Sequence, residues 1–256
     1  MKKVKCVILF LLMVSFGFSQ TIINVERLID GSDSTVYALA LSYNGTQGNS
    51  VTTQLDISPA VIFLRKKNEY KIFGGYSFLS ESVNTILKNG FMHIRHNYKL
   101  TERIKTFEFY QLQFNDELLL DKRLVFGAGL KYSMLTKDSL KFDISLGIMR
   151  EQEVLNKIVL QPGEIAKTNY YRANYANCFK WIIGKNVKID DILYYQPYLK
   201  DFSDFRLLND FNLTVSITDH FELINSLTIR YDSQPPGSLK NFDSTLSLGL
   251  NVKFNK

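Results

Sequence analysis

The sequence has little cysteine, tryptophan and proline, and these shortages exclude several classes of protein. The 256 residues include 2 Cys, 1 Trp and 5 Pro. Cys6 lies before an N-terminal apolar segment, so the predicted mature chain keeps only Cys178 and cannot form an intramolecular disulfide. Low proline and an ordinary charged fraction of 22% exclude a collagen-like or disordered chain. No apolar run reaches the ~20 residues that a membrane-spanning helix needs.

The N-terminus has the pattern of a secretory signal peptide. Lys2, Lys3 and Lys5 precede an apolar stretch at 7–16, and Ser19 is a small residue of the kind that signal peptidase recognises. We expect cleavage after Ser19, which makes residues 1–19 a signal peptide. The alternative, a short N-terminal anchor helix, is less consistent with the length of the apolar stretch.

Removal of the signal peptide also changes the charge of the chain. The net charge falls from +6 to +3, because 31 Lys+Arg become 28 against 25 Asp+Glu. No run rich in Lys and Arg and no nucleic-acid motif is present, so we expect no nucleic-acid partner.

From Thr35 onward the hydrophobic pattern repeats every second residue, which is typical of β-strands. Near the C-terminus Leu246, Leu248 and Leu250 alternate with Ser247 and Gly249. The pattern predicts strands at 35–43, 51–64, 69–79, 89–99, 103–114, 123–135, 139–150, 169–183, 187–196, 205–218, 221–232 and 243–254. Pro59 cannot donate a hydrogen bond within a sheet, so we expect a bulge or a break there.

The predicted connections are short after even-numbered strands and longer after odd-numbered strands, without exception. Bacterial outer-membrane barrels combine an even strand number with short periplasmic turns and longer outer loops. We therefore predict an all-β fold, a twelve-stranded antiparallel transmembrane β-barrel at 35–256, preceded by a periplasmic lead at 20–34. The alternative is a soluble periplasmic β-barrel that binds a small ligand.

Strand parity then divides the side chains between lipid and lumen. If the apolar series faces lipid, the charged residues face the lumen and should form ion pairs there, because an isolated buried charge is costly. The candidate lumen-lining residues are Arg123, Lys131, Asp143, Arg172, Arg206, Asp210, Arg230 and Asp232. Gly127, Gly129 and Gly147 are expected to leave room for long Arg and Lys side chains.

Aromatic residues are abundant, with 19 Phe and 14 Tyr. Most Phe fall on the parity assigned to lipid. The tyrosines at 170, 171, 175, 194, 195 and 198 and Trp181 are interpreted as an aromatic belt at the membrane interface.

Little in the sequence indicates catalysis. His93 and His96 would point to opposite faces of a strand, so they cannot share a metal ion, and we expect no metal site or cofactor. An outer-membrane lipid-modifying enzyme stays as an alternative, although no serine and histidine of matching parity come together.

Three segments resemble a known family. They are FEFYQLQ at 107–113, RLVFGAGLKY at 123–132, and RYDSQPPG at 230–237. Together they are similar to the salt-induced outer-membrane protein family, also called domain of unknown function 481. The resemblance implies an outer-membrane β-barrel of Gram-negative bacteria and no established reaction or ligand.

The sequence therefore predicts a non-enzymatic envelope protein or a narrow passive pore in the outer membrane. Its expected partners are outer-membrane lipid and the barrel-assembly machinery, with small solutes or ions as candidate cargo. Pro235, Pro236 and Gly237 form a candidate outer-loop motif near the mouth.

Overall fold

The computed structural model describes residues 35–47, 51–81, 84–158, 160, 162–218 and 221–252. The predicted signal peptide and the lead at 20–34 lie outside these residues. Within them, no helix has the length and apolar character needed to cross a bilayer. The strands are β1 Thr35–Thr46, β2 Thr52–Arg65, β3 Asn68–Glu81, β4 Asn84–Lys99, β5 Ile104–Asn115, β6 Leu120–Lys137, β7 Leu140–Leu155, β8 Lys167–Ile183, β9 Val187–Tyr198, β10 Asp201–Ser216, β11 Phe221–Asp232 and β12 Phe242–Val252.

All twelve strands form one antiparallel sheet in the order of the sequence. The prediction of twelve strands is confirmed, and most differences lie at the strand ends. β7, for example, continues to Leu155 rather than ending near 150. Apolar side chains of neighbouring strands lie on the same face because the strands pair in antiparallel register, as for Leu130 opposite Leu146.

The prediction that short and long connections alternate strictly is wrong. β3 ends at Glu81 and β4 begins at Asn84, while β9 ends at Tyr198 and β10 begins at Asp201. These strands continue into segments that the sequence pattern assigned to loops. We call the edge with the β2–β3, β4–β5, β6–β7, β8–β9 and β10–β11 connections the turn end, and the opposite edge the loop end.

The bulge or break expected at Pro59 is also absent. β2 is continuous, and Pro59 lies opposite Leu39 of β1 in an unshifted register. On the other side, Ile57 pairs with Tyr76 and Ala60 with Phe73, so the same register holds before and after the proline. A missing donor therefore interrupts the ladder locally without displacing the strand.

The sheet is strongly curled. Arg206 on β10 contacts Glu151 on β7, with an Nη1–Oε1 distance of 2.9 Å. In a flat sheet, strands three positions apart are separated by about 14 Å. Curvature brings their inner faces together, as in the wall of a barrel, and the face that carries this contact is the inner face.

The two faces have inverted polarity relative to a soluble protein. Among the described residues, buried polar and charged side chains outnumber buried hydrophobic ones. On the outer face, Phe126, Leu130, Leu146 and Ile148 are each more than half exposed and form one apolar patch on β6 and β7. Soluble proteins bury such residues and expose the charged ones.

Candidate functional site

The candidate site is a cluster of ion pairs on the inner face near the loop end. We call it the arginine cluster. It comprises Arg123, Arg172, Arg206, Glu151, Glu153, Asp204 and Asp232, supplied by β6, β7, β8, β10 and β11.

Glu151 is the centre of the cluster and is fully buried. Its carboxylate accepts hydrogen bonds from Arg172 Nε at 3.0 Å and from Arg206 Nη1 at 2.9 Å. Arg123 also donates to it through Nη2. A buried carboxylate is costly unless it is paired and hydrogen-bonded. Three guanidinium groups meet that requirement here.

The remaining acids complete the network. Arg206 donates to Glu153 Oε1 at 2.9 Å and to Asp232 Oδ2 at 2.9 Å. Arg172, only 1% exposed, donates through Nη1 to Asp204 Oδ1 at 2.9 Å. The cluster holds three positive and four negative side chains, so its formal charge is −1. Arginine suits this role because its planar fork donates in several directions at once.

The other sequence-predicted residues lie on the same face, outside the cluster. Lys131 Nζ lies 2.9 Å from Asp143 Oδ2, farther toward the turn end. Asp210 accepts a hydrogen bond from Thr228 Oγ1 at 2.9 Å. Arg230 stands opposite Asp243 of β12 in the register.

The sequence analysis missed Glu151, Glu153 and Asp204. Glu151 and Glu153 were assigned to a loop because β7 was ended at 150, and Asp204 preceded the predicted start of β10. The signal was available, since Glu151 and Glu153 continue the parity of Asp143 and Ser145 along one strand face.

We expected Arg and Lys side chains to fill the space beside the inner glycines, and the structure shows that they do not. A Cβ on Gly127 would lie 2.6 Å from Phe109 Cζ, and one on Gly129 would lie 2.7 Å from Phe107 Cζ. Phenyl rings, not long cations, use the space. Glycine permits this because a ring can lie directly against its backbone.

These rings belong to what we call the aromatic row. It comprises Phe73, Phe91, His93, Phe107 and Phe109 on the inner face of β3, β4 and β5. His93 stacks between Phe73 and Phe109, with ring centroids 4.6 and 5.4 Å away. Arg95 covers Phe107 at 4.5 Å from the ring centroid. These four phenylalanines are exceptions to the assignment of phenylalanine to the lipid side.

The proposed tyrosine belt needs a similar correction. Tyr170 stacks on Tyr198 at 4.3 Å, and the guanidinium of Arg172 lies 5.6 Å from the Tyr170 ring. These two tyrosines therefore lie with the arginine cluster on the inner face. Tyr171 and Trp181 have outward parity and are 51% and 42% exposed.

The two histidines of the H-x-x-H pair lie on opposite faces, as predicted. His96 is on the outer face, where Nδ1 lies 2.6 Å from Glu108 Oε1 and Nε2 lies 2.9 Å from Asn68 Oδ1. Both ring nitrogens are occupied, so neither is left to activate a nucleophile. No group of three metal-ligating side chains occurs among the described residues.

The candidate outer-loop motif is held by hydrogen bonds before it and at its last residue. Ser233 Oγ accepts a hydrogen bond from Phe205 N at 2.7 Å. Gly237 has a φ of 64°, and its N–H donates to Glu164 Oε1 of the β7–β8 connection at 2.8 Å. The motif thus joins the β7–β8 and β11–β12 connections at the loop end, where the arginine cluster also lies.

A 3-10 turn at Asp116–Leu118 connects β5 and β6 at the loop end. Asn115 Oδ1 caps this turn by accepting from Leu118 N at 3.1 Å. Burial raises the pKa of Glu117 above its ordinary value, and the charge of Arg230 opposes that rise.

The fold defines a class of protein, an all-β chain whose twelve-stranded antiparallel meander curls around a polar inner face. The chain belongs to the family described as "Protein of unknown function, DUF481", whose model matches residues 39–254. No functionally curated protein matches it.

Two solved structures with porin in their titles are similar to this chain. A structure titled "NanC porin structure in rhombohedral crystal form" is 12% identical, with a TM-score of 0.49, covering 86% of this chain and 99% of the porin. A second, titled "KdgM porin in complex with disordered oligogalacturonate", is 9% identical with a TM-score of 0.41, covering 87% of this chain and all of that porin.

Proposed function

We propose that this protein is a non-enzymatic β-barrel of the bacterial outer membrane that forms a narrow pore. The observation that carries the proposal is the inverted polarity of the sheet. Its outer face exposes aromatic and aliphatic side chains, while its inner face buries ion pairs and amides. Lipid on the outside and water inside are the surroundings that this arrangement requires.

The barrel is closed by β1 and β12 in this proposal. Twelve alternating strands make the first and last antiparallel, and closure removes the two exposed edges that an open sheet would leave in lipid. Residues 1–19 are removed on export, 20–34 form a periplasmic lead, and the turn end faces the periplasm. Outer-membrane lipid and the assembly machinery are then its partners.

The arginine cluster supports a narrow pore rather than a wide one. Arg206 extends from β10 to β7 and therefore occupies part of the lumen near the loop end. Charges in such a constriction control which small ions or solutes pass. Because the acids and arginines are paired, the expected selectivity is weak.

Conductance of the purified protein in a planar bilayer tests this proposal. A steady conductance should change in size and ion selectivity in Arg206→Gln. Lys185→Gln removes the same charge from an exposed turn and should leave the conductance unchanged. Recovery of the signal-processed protein as a monodisperse monomer without detergent would overturn the membrane placement.

A second candidate function is an envelope protein whose lumen is plugged. The contact of Arg206 with Glu151 and Glu153 favours it, since this contact holds the guanidinium group across part of the lumen. Electrical silence at high protein concentration, together with correct insertion, would support this candidate over the pore.

A further inference from the structure

Three polar side chains interrupt the apolar outer face on β8, β9 and β10. We call Asn177, Asp191 and Asn209 the outer polar patch. Asn177 and Asn209 both stand opposite Leu193 in the register, and Asp191 lies two residues from Leu193 along β9. Their outward parity is that of Trp181, which is 42% exposed and lies four residues after Asn177. All three side chains are partly exposed.

The outer polar patch lies inside the apolar band of the outer face. On its own strand, each member has two outward aliphatic or aromatic residues before it and two after it. These are Ala173, Tyr175, Phe179 and Trp181 on β8, Val187, Ile189, Leu193 and Tyr195 on β9, and Phe205, Leu207, Phe211 and Leu213 on β10. Lipid tails at this depth offer neither donors nor acceptors, so carboxylate and amide groups are costly there.

Hydrogen bonds within the sheet satisfy only part of the patch. Asn209 Nδ2 donates to Asp191 Oδ1 at 2.7 Å, and Asn177 Oδ1 accepts from Tyr175 Oη at 2.7 Å. Among the described residues, Asp191 Oδ2 receives no hydrogen bond, no cation pairs with this carboxylate, and Asn177 Nδ2 has no acceptor. One acceptor and one donor on the outer face are therefore left for a partner.

Asn177 and Asp191 lie at nearly the same level of the membrane. Rows of paired residues climb toward the loop end as the strand number rises, because the row through Gly74, midway along β3, reaches Asn169 near the loop end of β8. By the same slope Leu193 stands higher than Asn177, whereas Asp191 lies two residues nearer the turn end than Leu193. The two displacements nearly cancel.

A second polar group on the outer face differs from the patch. His96 hydrogen-bonds to both Glu108 and Asn68, and Asn68 is the first residue of β3, at the turn end. Water and lipid head groups reach that level, so this group needs no protein partner.

We propose that the outer polar patch is the interface between two copies of this chain in the membrane. The copies share one orientation there, so a two-fold axis along the membrane normal relates them and the patch meets itself. An axis between β8 and β9 sets Asn177 of each copy against Asp191 of the partner subunit, and each Nδ2 donates to the facing Oδ2. Lipid tails are as apolar as the outer face, so polar contacts provide the association. The proposal rests on the proposed barrel, because it treats the outer face as lipid-facing.

The test is the mass of the signal-processed protein in its own lipid. Polymer-bounded nanodiscs cut directly from outer membranes keep that lipid around the protein, and native mass spectrometry counts the chains in each particle. We expect two copies of this chain per particle.

Asn177→Asp is the decisive variant. It keeps the shape of the side chain but sets a carboxylate, in place of a donor, against Asp191 of the partner subunit, so the dimer fraction should fall at least tenfold. Asn169→Asp is the matched control. It makes the same substitution on the same face of β8, near the loop end and beside Arg150, and should leave the dimer fraction unchanged.

Asp191→Leu separates association from folding. It removes the acceptor and places an apolar residue against lipid, so the protein should be monomeric while its unfolding midpoint in guanidinium is no lower than that of the wild type. This variant carries the test if Asn177→Asp does not insert.

Three results would overturn the proposal. They are one copy per particle in the wild type, one copy together with a different protein, and equal dimer fractions in Asp191→Leu and the wild type. Failure of the proposed function is distinguishable. A silent bilayer with the dimer retained contradicts conduction alone, single inserted copies contradict the dimer alone, and a monodisperse monomer in water contradicts the membrane placement and the dimer together.

Discussion

The arginine cluster and the aromatic row fill neighbouring parts of the same inner face by different physical means. The cluster depends on long side chains that meet from β6, β7, β8, β10 and β11. The aromatic row depends on positions where a side chain is absent, because its rings lie over glycines of adjacent strands. Long-range curvature therefore determines one region, and local register determines the other.

This difference predicts where each region is fragile. The cluster should be strongly destabilised when its central charge is removed, because three largely buried arginines lose a shared counterion together. The aromatic row should tolerate changes in charge and fail when a methyl group is added, because its rings already contact the backbone.

The largest expected effect follows from Glu151→Gln. The substitution keeps the volume but removes the negative charge shared by Arg123, Arg172 and Arg206, and it replaces one acceptor oxygen by an NH2 group that faces the guanidinium groups. We expect a loss of about 3 kcal/mol or more in the free energy of unfolding. Guanidinium titration in detergent micelles, followed by circular dichroism, measures it.

Glu102→Gln is the matched control for this charge change. Its side chain is 89% exposed and pairs with Lys99 in a turn. We expect no measurable loss of stability, since exposed ion pairs contribute little. Equal effects of the two substitutions would contradict the central role of Glu151.

The aromatic row is tested by Gly129→Ala. The added Cβ would lie 2.6 Å from Gly147 Cα and 2.7 Å from Phe107 Cζ, and backbone atoms cannot move aside cheaply. Overpacking of this kind costs about 1–3 kcal/mol. Gly249→Ala adds the same methyl group where nothing lies within 4 Å, so its unfolding midpoint should stay at the wild-type value. The same titration compares them.

The sequence predicted the strands, and the sheet face on which most side chains lie, because a two-residue period is a local property. It placed Arg172 and Arg206 on the inner face for the same reason. It did not predict that both would meet at Glu151, because that contact depends on the curl of the whole sheet. Nor did it pair Phe107 with Gly129, since that requires the register between β5 and β6.

A smaller effect is expected at the β11–β12 connection, which contains Gly237. Gly237 has a φ of 64°, and Gly237→Ala should destabilise this loop by about 1 kcal/mol. Trypsin cleavage after the exposed Lys240 should then become roughly fivefold faster, because the open loop is more populated. Gly184→Ala carries the same strain at a φ of 62° at the turn end, and it should leave cleavage at Lys240 unchanged.

The smallest expected effect is the coupling between the two regions. Gly129 pairs with Gly147, which lies four residues from Glu151 along β7, a distance of about 13 Å. Substitutions this far apart add within about 0.3–0.5 kcal/mol. The double variant Glu151→Gln/Gly129→Ala should therefore lose the sum of the two single losses in the same titration. A larger coupling would point to Met149, which is 1% exposed and lies between them on the same face, as the side chain through which the regions act on each other.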